Sequence, residues 1–145
     1  MEYFLDTSAL LKRYIPENGT DFIDRITGMG PVYISGLTLT EAVSVFRRLS
    51  EVKAIITEQD FQDLKIRLFA DISTEIVEVV PVTTQEIITS TELLSQRYLT
   101  PVDALILATA INLKERIEDL CFICADVKLC KIAGDYLTVM NPVDN

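Results

Sequence analysis

Short strand-like runs that alternate with helical stretches constrain this chain more than any other feature in it. The strand candidates fall at residues 2–6, 32–36, 77–81, 121–125 and, with the faintest pattern, 136–139. The first, third and fourth are rich in β-branched or aromatic residues. Helical patterns fill the gaps. Residues 7–15 end before Pro16, residues 20–27 end at Gly28, and a longer stretch runs from about 38 to 53. Residues 57–74 carry Phe61, Leu64, Leu68 and Ile72 at spacings of three and four, continued by Ile76. Residues 84–97, 101–115 and 126–134 complete the set. Strands alternating with helices predict an α/β fold in three α/β/α layers, with a parallel sheet of about five strands covered on both faces. At 145 residues, without repeats or linker composition, the whole chain 1–145 reads as a single domain.

In an open parallel sheet, ligands bind outside the carboxyl ends of the strands. Asp6 ends the run "MEYFLD", and Asp126 closes "CFICAD" where a helix begins. Glu41, in "TLTEAVSVFRR", is expected in the first turn of the helix that follows the second strand. Three carboxylates from distant parts of the chain are thus expected at one sheet edge. Helix capping explains each of them singly, because Asp and Glu are favoured at and just after N-caps. Thr38-x-x-Glu41 and Thr100-x-x-Asp103 also resemble capping boxes. Capping accepts Ser, Thr and Asn equally well, however, and both clear strand ends carry Asp. Clustered like charges destabilise a fold unless a cation sits among them. Oxygen ligands without histidine suit Mg²⁺ or Mn²⁺ rather than Zn²⁺, and such a metal site is the usual equipment for phosphodiester hydrolysis. Asp103 follows the cap Thr100 and Pro101 at a helix start. Whether it reaches the same edge depends on how residues 84–97 lie.

Composition removes several classes of function. The chain has no histidine, which excludes Ser-His-Asp triads, His general bases and His metal sites. A net charge of −9, from 22 acidic and 13 basic residues, opposes non-specific binding to a phosphate backbone. A nucleic-acid role would therefore need a local basic patch or metal ions. No apolar run approaches the ~20 residues that span a bilayer, and no signal-peptide pattern opens the chain. Cys121, Cys124 and Cys130 do not make a disulfide framework. A cytoplasmic protein with no membrane association is expected.

The segments "FLDTSALLKRY", "TLTEAVSVFRR", "TPVDALILATA" and "FICADVKLCKIA" occur in the order and approximate spacing of the PIN domain. The chain resembles the VapC-like ribonuclease toxins of prokaryotic toxin–antitoxin pairs, and its closing "LTVMNPVDN" is similar to that family's last short strand and tail. The resemblance implies a metal-dependent endoribonuclease whose acidic quartet is Asp6, Glu41, Asp103 and Asp126. These four would hold Mg²⁺ or Mn²⁺, with Ser8 as the small hydroxyl residue that supports the site. It also implies an RNA substrate, a homodimer and a cognate antitoxin that blocks the site. An RNA-processing nuclease outside any toxin–antitoxin pair, or a non-catalytic binding module on the same fold, would share much of this pattern; loss of a carboxylate would favour the module, and none is lost.

Lys12, Arg13, Arg47, Arg48, Lys128 and Lys131 follow the acidic residues and are read as solvated helix faces. Arg48, two turns from Glu41 on the same helix face, is the preferred contact for substrate or antitoxin. Cys121 and Cys124 form a Cys-x-x-Cys, but residues three apart on a strand point to opposite faces. They are expected as small buried hydrophobes. A haloacid-dehalogenase-type phosphatase would need an acid two residues after Asp6, where Ser8 stands. A receiver domain would need an acidic pair at the first strand and a lysine after the last.

Overall fold

The computed structural model describes all residues from Met1 to Asn145. Its elements are β1 (Glu2–Leu5), α1 (Thr7–Tyr14), α2 (Thr20–Thr27), β2 (Val32–Ser35), α3 (Gly36–Glu51), α4 (Glu58–Ser73), β3 (Val77–Val80), α5 (Thr84–Gln96), α6 (Pro101–Lys114), β4 (Leu120–Ile123), α7 (Val127–Ala133) and β5 (Thr138–Met140). The five strands form one sheet in the order β3-β2-β1-β4-β5, and every pairing is parallel. From β1 the chain builds outward on one side to β2 and β3, then returns to the other side of β1 for β4 and β5. The switch point therefore lies between β1 and β4, where Leu5 pairs with Ile123.

Alternation along the strands divides the interior in two. Phe4, Leu120 and Phe122 face a core closed by α5, α6 and α7, with the Phe4 and Phe122 rings stacked 5.9 Å apart. Leu5, Ile34, Cys121 and Ile123 face a second core closed by α1, α2, α3 and α4. The fold is thus a three-layer α/β/α sandwich. Cys121 and Cys124 belong to opposite cores, as the strand period requires.

Local chemistry sets the helix limits. α1 stops before Pro16, whose ring disfavours helical backbone at Ile15. Thr57 and Asp60 close a reciprocal capping box on α4, each side chain bonding the other's backbone N–H. Gly19, at φ 95, turns the chain into α2, and a Cβ there would stand 3.2 Å from the Pro142 carbonyl. α3 departs from expectation. Its cap is Ser35, whose Oγ accepts from Leu37 N, and the helix starts at Gly36. Thr38 is consequently buried inside the helix rather than capping it, and Glu41 stands in the second turn, not the first.

The hairpin of α5 and α6 decides where Asp103 lies. Asn112, near the end of α6, donates to Glu86, near the start of α5, at 2.6 Å, so the two helices run antiparallel. β4 begins only six residues after α6 ends, so α6 descends against the strand direction. Its first turn therefore lies at the carboxyl edge of the sheet. Thr100 caps it, accepting from Asp103 N at 3.2 Å.

Candidate active site

Asp6 is the most enclosed of the four acidic residues, at 4% exposure. It caps α1, accepting from Ala9 N at 2.8 Å on Oδ1. Ser8 Oγ lies 2.7 Å from Oδ1 and 2.9 Å from Oδ2, and the Cys124 thiol donates to Oδ2 at 3.1 Å. Burial pushes the Asp6 carboxyl up to about 6, against the pull of these three donors, and the charge of Asp103 adds to the rise. Ser8 also accepts from Ala125 N at 3.1 Å, which ties the turn after β1 to the turn after β4. Asp126 closes that second turn and caps α7 through Leu129 N at 3.1 Å.

Glu41 is half-buried and held from α1. Thr7 Oγ1 lies 2.6 Å from Glu41 Oε1 and 3.2 Å from the buried Thr38 Oγ1. The half-buried Asp103 completes the neighbourhood electrostatically. Burial raises its carboxyl, the Thr100 hydrogen bond opposes that rise, the charges of Asp126 and Glu41 reinforce it, and Lys128 offsets part of it. The charge of Asp103 also raises the Asp6 carboxyl.

No three of these carboxyl groups stand close enough to form a ready-made ligand set. Four unscreened carboxylates repel one another, and only Lys128 supplies a cation to Asp103. Their donor chemistry nonetheless fits a hard divalent cation, because every group is a carboxylate oxygen on a well-supported turn or helix. A shallow groove of about 330 Å³ opens beside Glu41, lined by Thr7, Leu37, Thr40, Ser44 and Val102. A larger and mostly apolar groove of about 530 Å³ lies elsewhere, between α1, α4 and the segment that joins α3 to α4.

Of the six basic residues after the acidic ones, three are held in ion pairs and three, Arg48, Lys128 and Lys131, are exposed. Arg13 pairs with Asp71 at 2.8 Å, Lys12 is buried against Glu17 at 3.0 Å, and Arg47 pairs with Glu58 while its guanidinium covers the Phe61 ring. Arg48 is exposed on α3, and Lys128 lies over the Tyr98 ring. Two supporting residues escaped the sequence reading. Thr7 was legible only as a helix start, although it sits beside Asp6. Cys124 looked apolar, and only its register against Asp6 gives it away.

The PIN domain profile matches residues 3–134. No curated protein matches the sequence significantly. Among solved structures, a chain of FitAcB from Neisseria gonorrhoeae is similar at TM-score 0.70 and 18% identity, with 97% of each chain covered. A chain of VapBC2 from Rickettsia felis, bound to a DNA fragment from its promoter, matches at TM-score 0.66 and 21% identity, covering 97% of this chain and 98% of that one. A toxin–antitoxin complex from Klebsiella pneumoniae contributes a chain at TM-score 0.66 and 18% identity, with 97% and 98% covered. At these identities the solved structures speak for the fold, and the profile, which spans nearly the whole sequence, speaks for the family: the chain belongs to the PIN domain family.

Proposed function

We propose that this protein is a divalent-metal-dependent endoribonuclease and the toxin of a toxin–antitoxin pair. What supports this most is the pair of carboxylate-bearing turns at the switch point, Asp6 after β1 and Asp126 after β4, joined through Ser8. Asp6, Glu41, Asp103 and Asp126 would hold Mg²⁺ or Mn²⁺. When bound, the cation supplies Lewis acidity to the phosphoryl oxygens and acidifies water. The remaining work falls to the chain. Ser8 and the Ala9 amide orient Asp6, and Thr7 fixes Glu41. The shallow groove beside Glu41 admits RNA, and Arg48 meets a phosphate along α3.

A route through the ribose 2′-hydroxyl commonly uses a side-chain base such as histidine, which this sequence lacks. Direct in-line attack of water leaves a 5′-phosphate and a 3′-hydroxyl. One similar chain comes from a toxin–antitoxin complex, which supports an antitoxin that covers the acidic edge. A homodimer in the cytoplasm completes the reading; no helix is long and apolar enough to cross a membrane.

End-group analysis of cleaved RNA tests this reading. We expect 5′-phosphate and 3′-hydroxyl ends, loss of cleavage in EDTA, and recovery with Mg²⁺ or Mn²⁺. Cyclic 2′,3′-phosphate ends, or cleavage indifferent to chelation, would overturn it.

A further inference from the structure

We propose that Cys124 is a positioning residue for the acidic site, fixing the Asp6 carboxylate through its thiol. The proposal rests on the nuclease reading of that site and goes beyond the acidic quartet. In the parallel register Leu5 pairs with Ile123, so Asp6 and Cys124 are the next residues on adjacent strands at the switch point. Asp6 N donates to Ile123 O at 3.0 Å, and Cys124 N donates to Met140 O at 3.2 Å, which fixes both backbones. Cys124 is fully buried, and its Sγ reaches Asp6 Oδ2 at 3.1 Å from the core side. The Cys130 thiol, midway along α7, donates to the Cys124 carbonyl at 2.8 Å and ties that helix to the same turn.

The Asp6 carboxylate is thereby held from two directions. Ser8 and the Ala9 amide meet Oδ1, while the thiol meets Oδ2 together with Ser8. A carboxylate oxygen in a buried site needs a donor, and a thiol is a weak one. It satisfies Oδ2 while withdrawing little of the negative charge that a cation needs. A ligand whose orientation is set by such a neighbour loses about 10–100-fold in metal affinity when the neighbour is removed.

The experiment is Mn²⁺ binding by isothermal titration, with the electron paramagnetic resonance of bound Mn²⁺ as a second signal. It compares wild type, Asp6→Asn, Cys124→Ala and Cys124→Ser. We expect Cys124→Ala to bind Mn²⁺ at least about tenfold more weakly with a broadened spectrum, and Cys124→Ser, which restores a donor, to recover most of the affinity. Cys124→Val also removes the donor and fills the space that alanine leaves, and it takes the place of the alanine variant if that one does not fold. Mn²⁺ affinity within twofold of wild type in folded Cys124→Ala or Cys124→Val, alongside loss of binding in Asp6→Asn, overturns the role of the cysteine alone. Wild-type protein that does not bind Mn²⁺, or binds it equally well as Asp6→Asn, overturns the site reading and the positioning role with it.

Discussion

At Asp6 one carboxylate caps α1 and also carries a buried charge, and the two roles respond differently to substitution. Asparagine caps a helix as well as aspartate does, so Asp6→Asn keeps the cap and removes the charge. Because the folded carboxyl sits at about 6 against an ordinary 3.8, its contribution to the stability of metal-free wild type is full below pH 3.8 and is lost as the pH rises through about 6. That loss is at most about 3 kcal/mol. Asp6→Asn is therefore expected to unfold at higher denaturant than metal-free wild type at pH 7, while RNA cleavage is abolished. Cleavage at the wild-type rate would leave Asp6 as a cap and nothing more. The residue was legible because a buried strand run stopped at a charge. Cys124 was not, since a thiol in an apolar run looks like core until the register sets it beside Asp6.

The strand ends and helices carry the acidic groups, and here the sequence was informative in one half of the fold and silent in the other. β1 and β4 lead directly into the turns that carry Asp6 and Asp126, so strand ends located them. Asp103 depends on α5 rising and α6 descending as a hairpin held by Glu86 and Asn112, a tertiary choice with no local signature. Glu41 moved one turn because Ser35 outcompeted Thr38 as the cap of α3. On the other face, α1 and α4 are fastened by Asp71, which accepts from Arg13 Nε at 2.8 Å and from the Tyr14 hydroxyl at 2.6 Å. Burial opposes the charge on Asp71, but these donors outweigh it and hold the carboxyl below its usual range. The stabilisation is present above pH 3.8 and is lost as the pH falls below it. We expect Asp71→Asn to cost about 2 kcal/mol at pH 7 and progressively less below pH 4. A difference from wild type that stays constant down to pH 2, measured by denaturant unfolding, would remove Asp71's charge from the account.

Across the whole molecule, a net charge of −9 sets the proposed RNA substrate a problem that the acidic edge makes worse. Bound divalent metal would neutralise the edge itself, but the strand must still be drawn along the surface. Arg13, Lys12 and Arg47 are each already paired with a carboxylate, which offsets their charge. Arg48 and Lys128 remain outside the ion pairs. Arg48 lies seven residues beyond Glu41 on α3, about 10 Å along the axis, which is on the order of one or two nucleotide steps. Lys128 follows Asp126 and acts on Asp103. The two cations stand on different elements, so a strand that crosses the acidic edge could meet both. Binding of a short single-stranded RNA to the cleavage-dead Asp6→Asn variant, titrated with salt, separates this path from general attraction. Each phosphate contact contributes about 0.7 to the slope of log K against log salt for a single strand. Arg48→Ala and Lys128→Ala are each expected to flatten the slope by about that amount, and the double variant by about twice as much. Lys65→Ala, an exposed lysine on α4, is expected to leave the slope unchanged. If all three single variants weaken binding equally, the RNA follows no track along α3 and α7, and only the diffuse field of the protein attracts it.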